Sequence, residues 1–225
     1  MESDLTLFLE FYGLPGCGKS TVSHMVAAEL RKQGKNVSEP TFDMDHKSSG
    51  KVRKVKKLLK LFRYAVAHPK KYKALKTLVS KNGYGGSDGL SQCANITQKL
   101  LAYEHEKADV VIFDEGLTQS SISLSQGRMN AAENEKELFA LCPKRNVKKI
   151  YVNVSPEVAL KRMEGRSQHD SRIEKIEDPL LRENAMVAFH VQCDLIPNGN
   201  VIQDGSAEQM AAEIITVVLK ESTNH

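Results

Sequence analysis

Apolar residues are spaced in two ways along this chain, in short continuous runs and at three- or four-residue steps, and the two kinds of segment alternate from end to end. Leu5 to Tyr12 (LTLFLEFY) is rich in strand formers. After it Val22, Met25, Val26 and Leu30 recur at helical intervals, with Gly34 as a stop. Asn36 to Glu39 reads as a short second strand, because Pro40 bars the residue before it from a helix. Val52, Val55, Leu58, Leu59, Phe62 and Val66 predict an amphipathic helix, and Tyr72, Leu75 and Leu78/Val79 another, with a break at His68-Pro69. Asn82 to Ser87 is a loop by composition, and Leu90 to Lys107 returns to helical spacing.

Val110 to Asp114 is an apolar run closed by a carboxylate, the pattern of a parallel strand covered on both faces. Asn130 to Leu141 predicts a helix and Val147 to Val154 a strand. Ser155-Pro156-Glu157 starts a helix that ends near Gly165. A polar stretch, Arg166 to Asp178, precedes a helix from Pro179 to Val191, a strand at Val201 to Gln203 and a closing helix from Ala207 to Leu219. Strands and helices that take turns in this way predict an α/β fold, a five-stranded parallel sheet wrapped by helices. No internal repeat and no second domain is expected within residues 1–225.

At 225 residues the chain is long enough for one buried core, and 40% hydrophobic with 27% charged residues is an ordinary globular balance. The first apolar run is a short strand bearing Glu10, without a basic leader, so neither a membrane span nor a secretory signal is expected and the protein is expected to be cytoplasmic. Four cysteines far apart, Cys17, Cys93, Cys142 and Cys193, argue against a zinc site or a disulfide framework. Seven scattered histidines show no metal-ligand spacing. The net charge of +4 conceals an asymmetry: His46 to Ser87 holds thirteen Lys and Arg and no Asp or Glu, so the rest of the chain is acidic. Such a block invites an anionic partner, although its few aromatic residues give little support to base stacking.

The most specific signal is Gly13-Leu14-Pro15-Gly16-Cys17-Gly18-Lys19-Ser20, a complete G-x-x-x-x-G-K-[ST] between a strand and a helix. Glycines there let backbone N–H groups turn toward a phosphate, and the helix N-terminus adds partial positive charge. Gly13, Gly16, Cys17, Gly18, Lys19, Ser20 and Thr21 are therefore candidates for nucleotide binding, with Lys19 on the phosphates and the Ser20 hydroxyl on Mg²⁺. Asp114 ends a strand of the same sheet and is expected at the same edge, where it would share the Mg²⁺ with Ser20. Glu115 would do that instead or act as a base. Arg162 and Arg166 are four apart on one helical face, and Arg172 lies in the polar stretch that follows. Guanidinium forks of this kind stabilise charge on a phosphoryl group in transfer.

The strand, the GLPGCGKS loop, Glu39-Pro40, the strand ending at Asp114, the Ser155-Pro156-Glu157 helix with Arg162 and Arg166, and Val201 to Ser206 together resemble thymidylate kinase and its deoxynucleoside kinase relatives. The resemblance implies a three-layer P-loop NTPase fold, ATP and Mg²⁺. It also implies a lid over residues 162–178 and Asp204-Gly205-Ser206 lying against the adenine, and it spans nearly the whole chain apart from the basic helical insertion over 47–81. Glu39 matches an acidic position near the acceptor. Ser120-Ser121 with Gln126-Gly127 is similar to the serine and glutamine segment after the acceptor motif. One position departs. Where those kinases carry Asp-Arg or Glu-Arg, this chain reads Asp114-Glu115-Gly116. Either another cation takes over, or the acceptor is not a nucleoside monophosphate.

The expected function is an ATP-dependent kinase acting on a small-molecule acceptor, of the nucleoside or nucleotide kinase type. Lys19, Asp114, Arg162 and Arg166 would be catalytic, and Glu39, Glu115 and Arg172 would contact the acceptor. A nucleotide-gated regulatory ATPase that recruits an anionic partner through residues 47–81, and a polynucleotide kinase, are the alternatives. Expected partners are ATP, the acceptor and a second copy in a homodimer, with nucleic acid not favoured and no membrane.

Overall fold

The computed structural model describes residues 6–42, 50–165 and 172–222, with only the backbone for 50–53 and 219–222. Five parallel strands, β1 (Leu7–Tyr12), β2 (Val37–Ser38), β3 (Val110–Phe113), β4 (Asn146–Asn153) and β5 (Gly199–Gln203), stand in the order β2-β3-β1-β4-β5. The helices are α1 (Lys19–Lys32), α2 (Gly50–Ala67), α3 (Pro69–Lys81), α4 (Gly86–His105), α5 (Leu117–Ser125), α6 (Ala131–Phe139), α7 (Pro156–Glu164), α8 (Pro179–Asp194) and α9 (Ala207–Ser222).

Side chains of β1 alternate between two cores, as the period of a strand requires. Leu9 and Phe11 join Val22, Val26 and Leu30 of α1 and Met210 and Ile214 of α9. Phe8 joins Leu75 and Leu78 of α3, Ile96, Leu100 and Tyr103 of α4, Leu117 of α5 and Leu138 of α6. The result is three layers, helix, sheet and helix. Tyr103 is the centre of the second core, stacked on Phe8 at 4.7 Å and on Phe113 at 5.2 Å between ring centroids.

Most predicted elements form within a few residues of their expected ends, including the break between α2 and α3 at His68. Two differ. Helix α4 starts at Gly86, inside the expected loop. Helix α5 has no counterpart among the predicted elements, because most of what it buries is polar: beside Leu117, Ile122 and Leu124, Thr118, Gln119, Ser120, Ser121 and Ser125 are all inside. Side-chain bonds satisfy these hydroxyls beside the apolar contacts of Leu117, Ile122 and Leu124. Ser121 donates to the Thr118 carbonyl at 2.7 Å and Ser125 to that of Ile122 at 2.6 Å.

The register places the site. Leu7 to Glu10 lie beside Val110 to Phe113, so the loop leaving β1 and the residue leaving β3 emerge at one edge of the sheet.

Candidate active site

The loop after β1 closes tightly. Gly16 sits at φ +87°, and a Cβ there would lie 2.4 Å from the Ala159 carbonyl oxygen, closer than real atoms approach. At Gly13 a Cβ would meet the Val152 carbonyl at 2.6 Å. The Gly13 N–H donates to Gln119 Oε1 at 3.0 Å, which ties the loop to α5. Lys19 is buried, and its ammonium donates to the carbonyls of Gly13 and Leu14 at 3.0 and 2.9 Å, with Cys17 Sγ at 3.8 Å. Gly18 precedes α1, whose first turn carries Ser20 and Thr21, both exposed at the sheet edge.

Asp114 receives two hydroxyls. Ser20 Oγ donates to its Oδ2 at 2.8 Å, and Thr41 Oγ1 to its Oδ1 at 2.6 Å. The glycine loop, the start of α1, the end of β3 and the segment after β2 therefore meet at one carboxylate. The donor set suits a divalent cation: a carboxylate and a hydroxyl oxygen, hard ligands, beside a loop in which a Cβ at Gly13 or Gly16 would clash.

The segment after Asp114 is fixed from below. Glu10, fully buried on β1, accepts from the backbone N–H groups of Leu117 at 2.6 Å and Thr118 at 2.7 Å and from the Tyr103 hydroxyl at 2.8 Å. Its charge therefore lies at the N-terminus of α5, where aligned peptide dipoles favour an anion. Gly116 is the residue this allows, since a Cβ there would lie 2.3 Å from the Glu10 carboxyl carbon. The Tyr103 hydroxyl is pushed well above the usual tyrosine range, first by burial and then by Glu10. Below α5, Lys149 bridges both oxygens of Glu135 at 3.3 and 3.1 Å, and Thr118 donates to the same carboxyl at 2.9 Å. Burial holds the Glu135 carboxyl above the ordinary range despite Lys149.

Lys99 was not singled out by the sequence. From α4 its ammonium donates to Ser120 Oγ at 2.6 Å and to the Gly116 carbonyl at 3.1 Å, beside the turn that follows Asp114. Burial pulls its pKa down, against the opposing pull of Glu115, Glu10 and Asp114. A cation thus stands next to Asp114-Glu115-Gly116 after all, and it comes from the core helix α4, outside the basic block. Its signal in the sequence is slight: Lys99 is the sole Lys or Arg of α4.

The other expected residues divide. Arg162 lies beside the loop, 3.5 Å from the Cys17 carbonyl, and pairs with Asp204 at 2.8 Å, next to Gly205 at the end of β5. Glu39 is buried and both its oxygens are engaged, by Arg31 at 2.7 Å and by His24 at 3.1 Å, so it anchors the segment that carries Thr41. Glu115 is exposed beside Lys99. Arg172 donates to the Tyr84 hydroxyl and lies 4.8 Å over that ring, while Tyr84 bonds the Ser123 carbonyl at 2.8 Å. That puts Arg172 toward the C-terminal end of α5, whereas Asp114 precedes its N-terminal end. Arg166, with the rest of 166–171 in the expected lid, falls outside the described residues.

Solved structures share this architecture. Deoxyadenosine kinase from M. mycoides with bound dATP is 18% identical, with a TM-score of 0.51 over 94% of this chain and 98% of that one. Thymidylate kinase from Ehrlichia chaffeensis is 16% identical, with a TM-score of 0.52 over 95% and 98%. Shikimate kinase from Bacteroides thetaiotaomicron is 13% identical, with a TM-score of 0.51 over 94% and 98%. At these identities the likeness is one of fold, and the fold is that of the P-loop kinases. No curated protein matches the chain. A family model described as Nephrocystin 3, N-terminal matches residues 2–130, more than half of the chain and the whole stretch from β1 through α5 with its glycine loop and Asp114, and the chain belongs to that family.

Proposed function

We propose that this protein is an ATP- and Mg²⁺-dependent phosphotransferase acting on a small-molecule acceptor of the nucleoside or nucleotide type. The observation that carries this reading is the convergence of Ser20 and Thr41 on Asp114 beside the glycine loop. The residues fit the groups they are assigned. The backbone of Gly13, Gly16, Cys17 and Gly18, with Lys19 and Thr21, would hold the phosphate chain, while Ser20 and Asp114 would hold the Mg²⁺ ion. When bound, that ion supplies positive charge to the transferring phosphoryl group.

The rest is positioning. Thr41 fixes the rotamer of Asp114. Arg162, next to the Cys17 carbonyl and the Asp204-Gly205 turn, would take the nucleotide from the base side, with Arg166 beside it in a lid over residues 162–178. Lys99 would supply the acceptor-side cation that the Asp114-Glu115-Gly116 sequence lacks, and Glu115 would accept a hydrogen bond from the acceptor hydroxyl. Glu39 and Arg172 would act from the flanks, Glu39 by holding the segment of Thr41. In this reading residues 1–225 work as one kinase-like unit, with 47–81 as an insertion.

The test is an ADP-release screen over nucleosides, nucleoside monophosphates, sugars, other phosphorylated acceptors and oligonucleotide 5′ ends. Turnover stimulated by a small acceptor is the expected result. Tight ATP binding without stimulation by any acceptor would overturn the reading, and stimulation by oligonucleotides alone would reassign it to a polynucleotide kinase.

A further inference from the structure

Helix α2 has two apolar faces, and only one is covered. Leu61 and Tyr64 are buried on the side that packs on α4. On the other side Val55, Leu59, Phe62 and Val66 recur at steps of four, three and four, and they are 66%, 49%, 67% and 67% exposed. Leu58 lies beside them. A surface helix ordinarily places charge there, so the stripe is the opposite of what water alone favours.

The charges lie along one edge of that stripe. At 100° per residue Lys56, Lys60 and Arg63 form a single flank, all exposed, with no hydrogen bond or ion pair among the described residues. Exposed Lys70, Lys73 and Lys76 of α3 continue the basic surface, and no carboxylate occurs from His46 to Ser87. Any occupant must therefore take apolar side chains and cations together. A second copy would set one uncompensated basic block against another, and nucleic acid would leave the apolar stripe in water.

We propose that this face of α2 rests on an anionic lipid surface, with Val55, Leu59, Phe62 and Val66 entering the interface and Lys56, Lys60 and Arg63 at the headgroup phosphates. The helix would lie on the bilayer: among the described residues, no helix is long and apolar enough to cross one. The proposal stands apart from the phosphotransferase reading, since none of these side chains belongs to the active site.

Co-sedimentation of the full chain with vesicles tests it. Vesicles of phosphatidylcholine with about one third phosphatidylglycerol should retain the protein at least about tenfold better than phosphatidylcholine alone. Retention should fall as salt rises from roughly 0.1 to 0.5 M. Phe62→Glu should lower retention about tenfold or more. Replacing Lys56, Lys60 and Arg63 together by Gln should lower it about a hundredfold, at roughly fivefold per cation. Both variants change exposed positions, so unchanged circular dichroism and thermal midpoint should accompany the loss.

Equal retention on neutral and anionic vesicles would overturn the proposal. So would retention indifferent to Phe62→Glu, which would leave charge alone as the cause. A dimer by light scattering that Phe62→Glu dissolves would overturn it in favour of a second copy. Binding to polyglutamate with the same Phe62 dependence, and none to vesicles, would overturn it in favour of an acidic protein.

Discussion

Ser20 Oγ donates a 2.8 Å hydrogen bond to Asp114 Oδ2 across 94 positions of sequence. The contact is a product of the register, since pairing Leu7–Glu10 with Val110–Phe113 brings the two turns to one sheet edge. A bond of this kind holds two oxygens at one point. If that point takes Mg²⁺, Ser20→Ala and Asp114→Asn should each cost several kcal/mol of transition-state stabilisation, about a hundredfold or more in turnover. Calorimetric titration with ATP should show that Mg²⁺ strengthens binding to the parent protein and not to Asp114→Asn. The same Mg²⁺ dependence in both would remove Asp114 from the metal site.

Lys99 should separate acceptor from donor. Lys99→Met should reduce acceptor-stimulated turnover by about a hundredfold, while ATP affinity changes by about twofold at most. The pH profile carries the same signature. Burial lowers the Lys99 pKa, so as pH rises its proton is lost before that of an ordinary lysine. Acceptor kcat/KM should therefore fall on the alkaline side below the usual lysine range, and Lys99→Arg, which keeps its charge, should move that fall to higher pH. An unchanged alkaline limb in Lys99→Arg would assign the titration elsewhere.

Glu10 should matter for stability before function. Glu10→Gln leaves at least one of three buried donors without an acceptor and removes the charge at the start of α5. The expected loss is about 3 kcal/mol or more. At this chain length that lowers the thermal midpoint by roughly 6–12 °C. Gly116→Ala should act in the same direction through the 2.3 Å approach to the Glu10 carboxyl. A shift under about 2 °C for both variants would contradict this account of the turn.

The thiols should be quiet. Cys17, Cys93 and Cys193 are buried, and burial pushes the partly exposed Cys142 up to about 12. At about pH 8 the folded protein should react with a thiol reagent far more slowly than a model thiol, and denaturant should release four equivalents. Rapid labelling of Cys17 in the folded state would mean that the glycine loop opens.

The glycine-loop edge of the candidate site was legible in the sequence and the edge between α4 and α5 was not, and the reason is physical. The glycine loop is local: its spacing, the strand before it and the helix after it all lie within residues 7–32. Asp114 was legible because a buried strand ends there. Arg162 was found as a cation on a helix face, though its pairing with Asp204 was not. Helix α5 left no clear apolar period, because Leu117, Ile122 and Leu124 share its buried side with Thr, Gln and Ser whose bonds close on themselves, on Glu10 and on the loop. Glu10 looked like an exception inside a strand and proved to be the anchor of that helix. Lys99 reaches the turn after Asp114 through a contact between α4 and α5 that no sequence spacing encodes. Glu39 was read toward the acceptor, yet both its oxygens are engaged by Arg31 and His24.

The most direct test of the phosphotransferase reading follows the γ-phosphoryl group itself. ATP labelled at the γ-position is incubated with the protein, Mg²⁺ and the acceptor that most stimulates ADP release. The label should appear on the acceptor, one per ADP formed, and Lys19→Ala should abolish the transfer. Label recovered only as inorganic phosphate, at a rate indifferent to the acceptor, would contradict the account and leave an ATPase in its place.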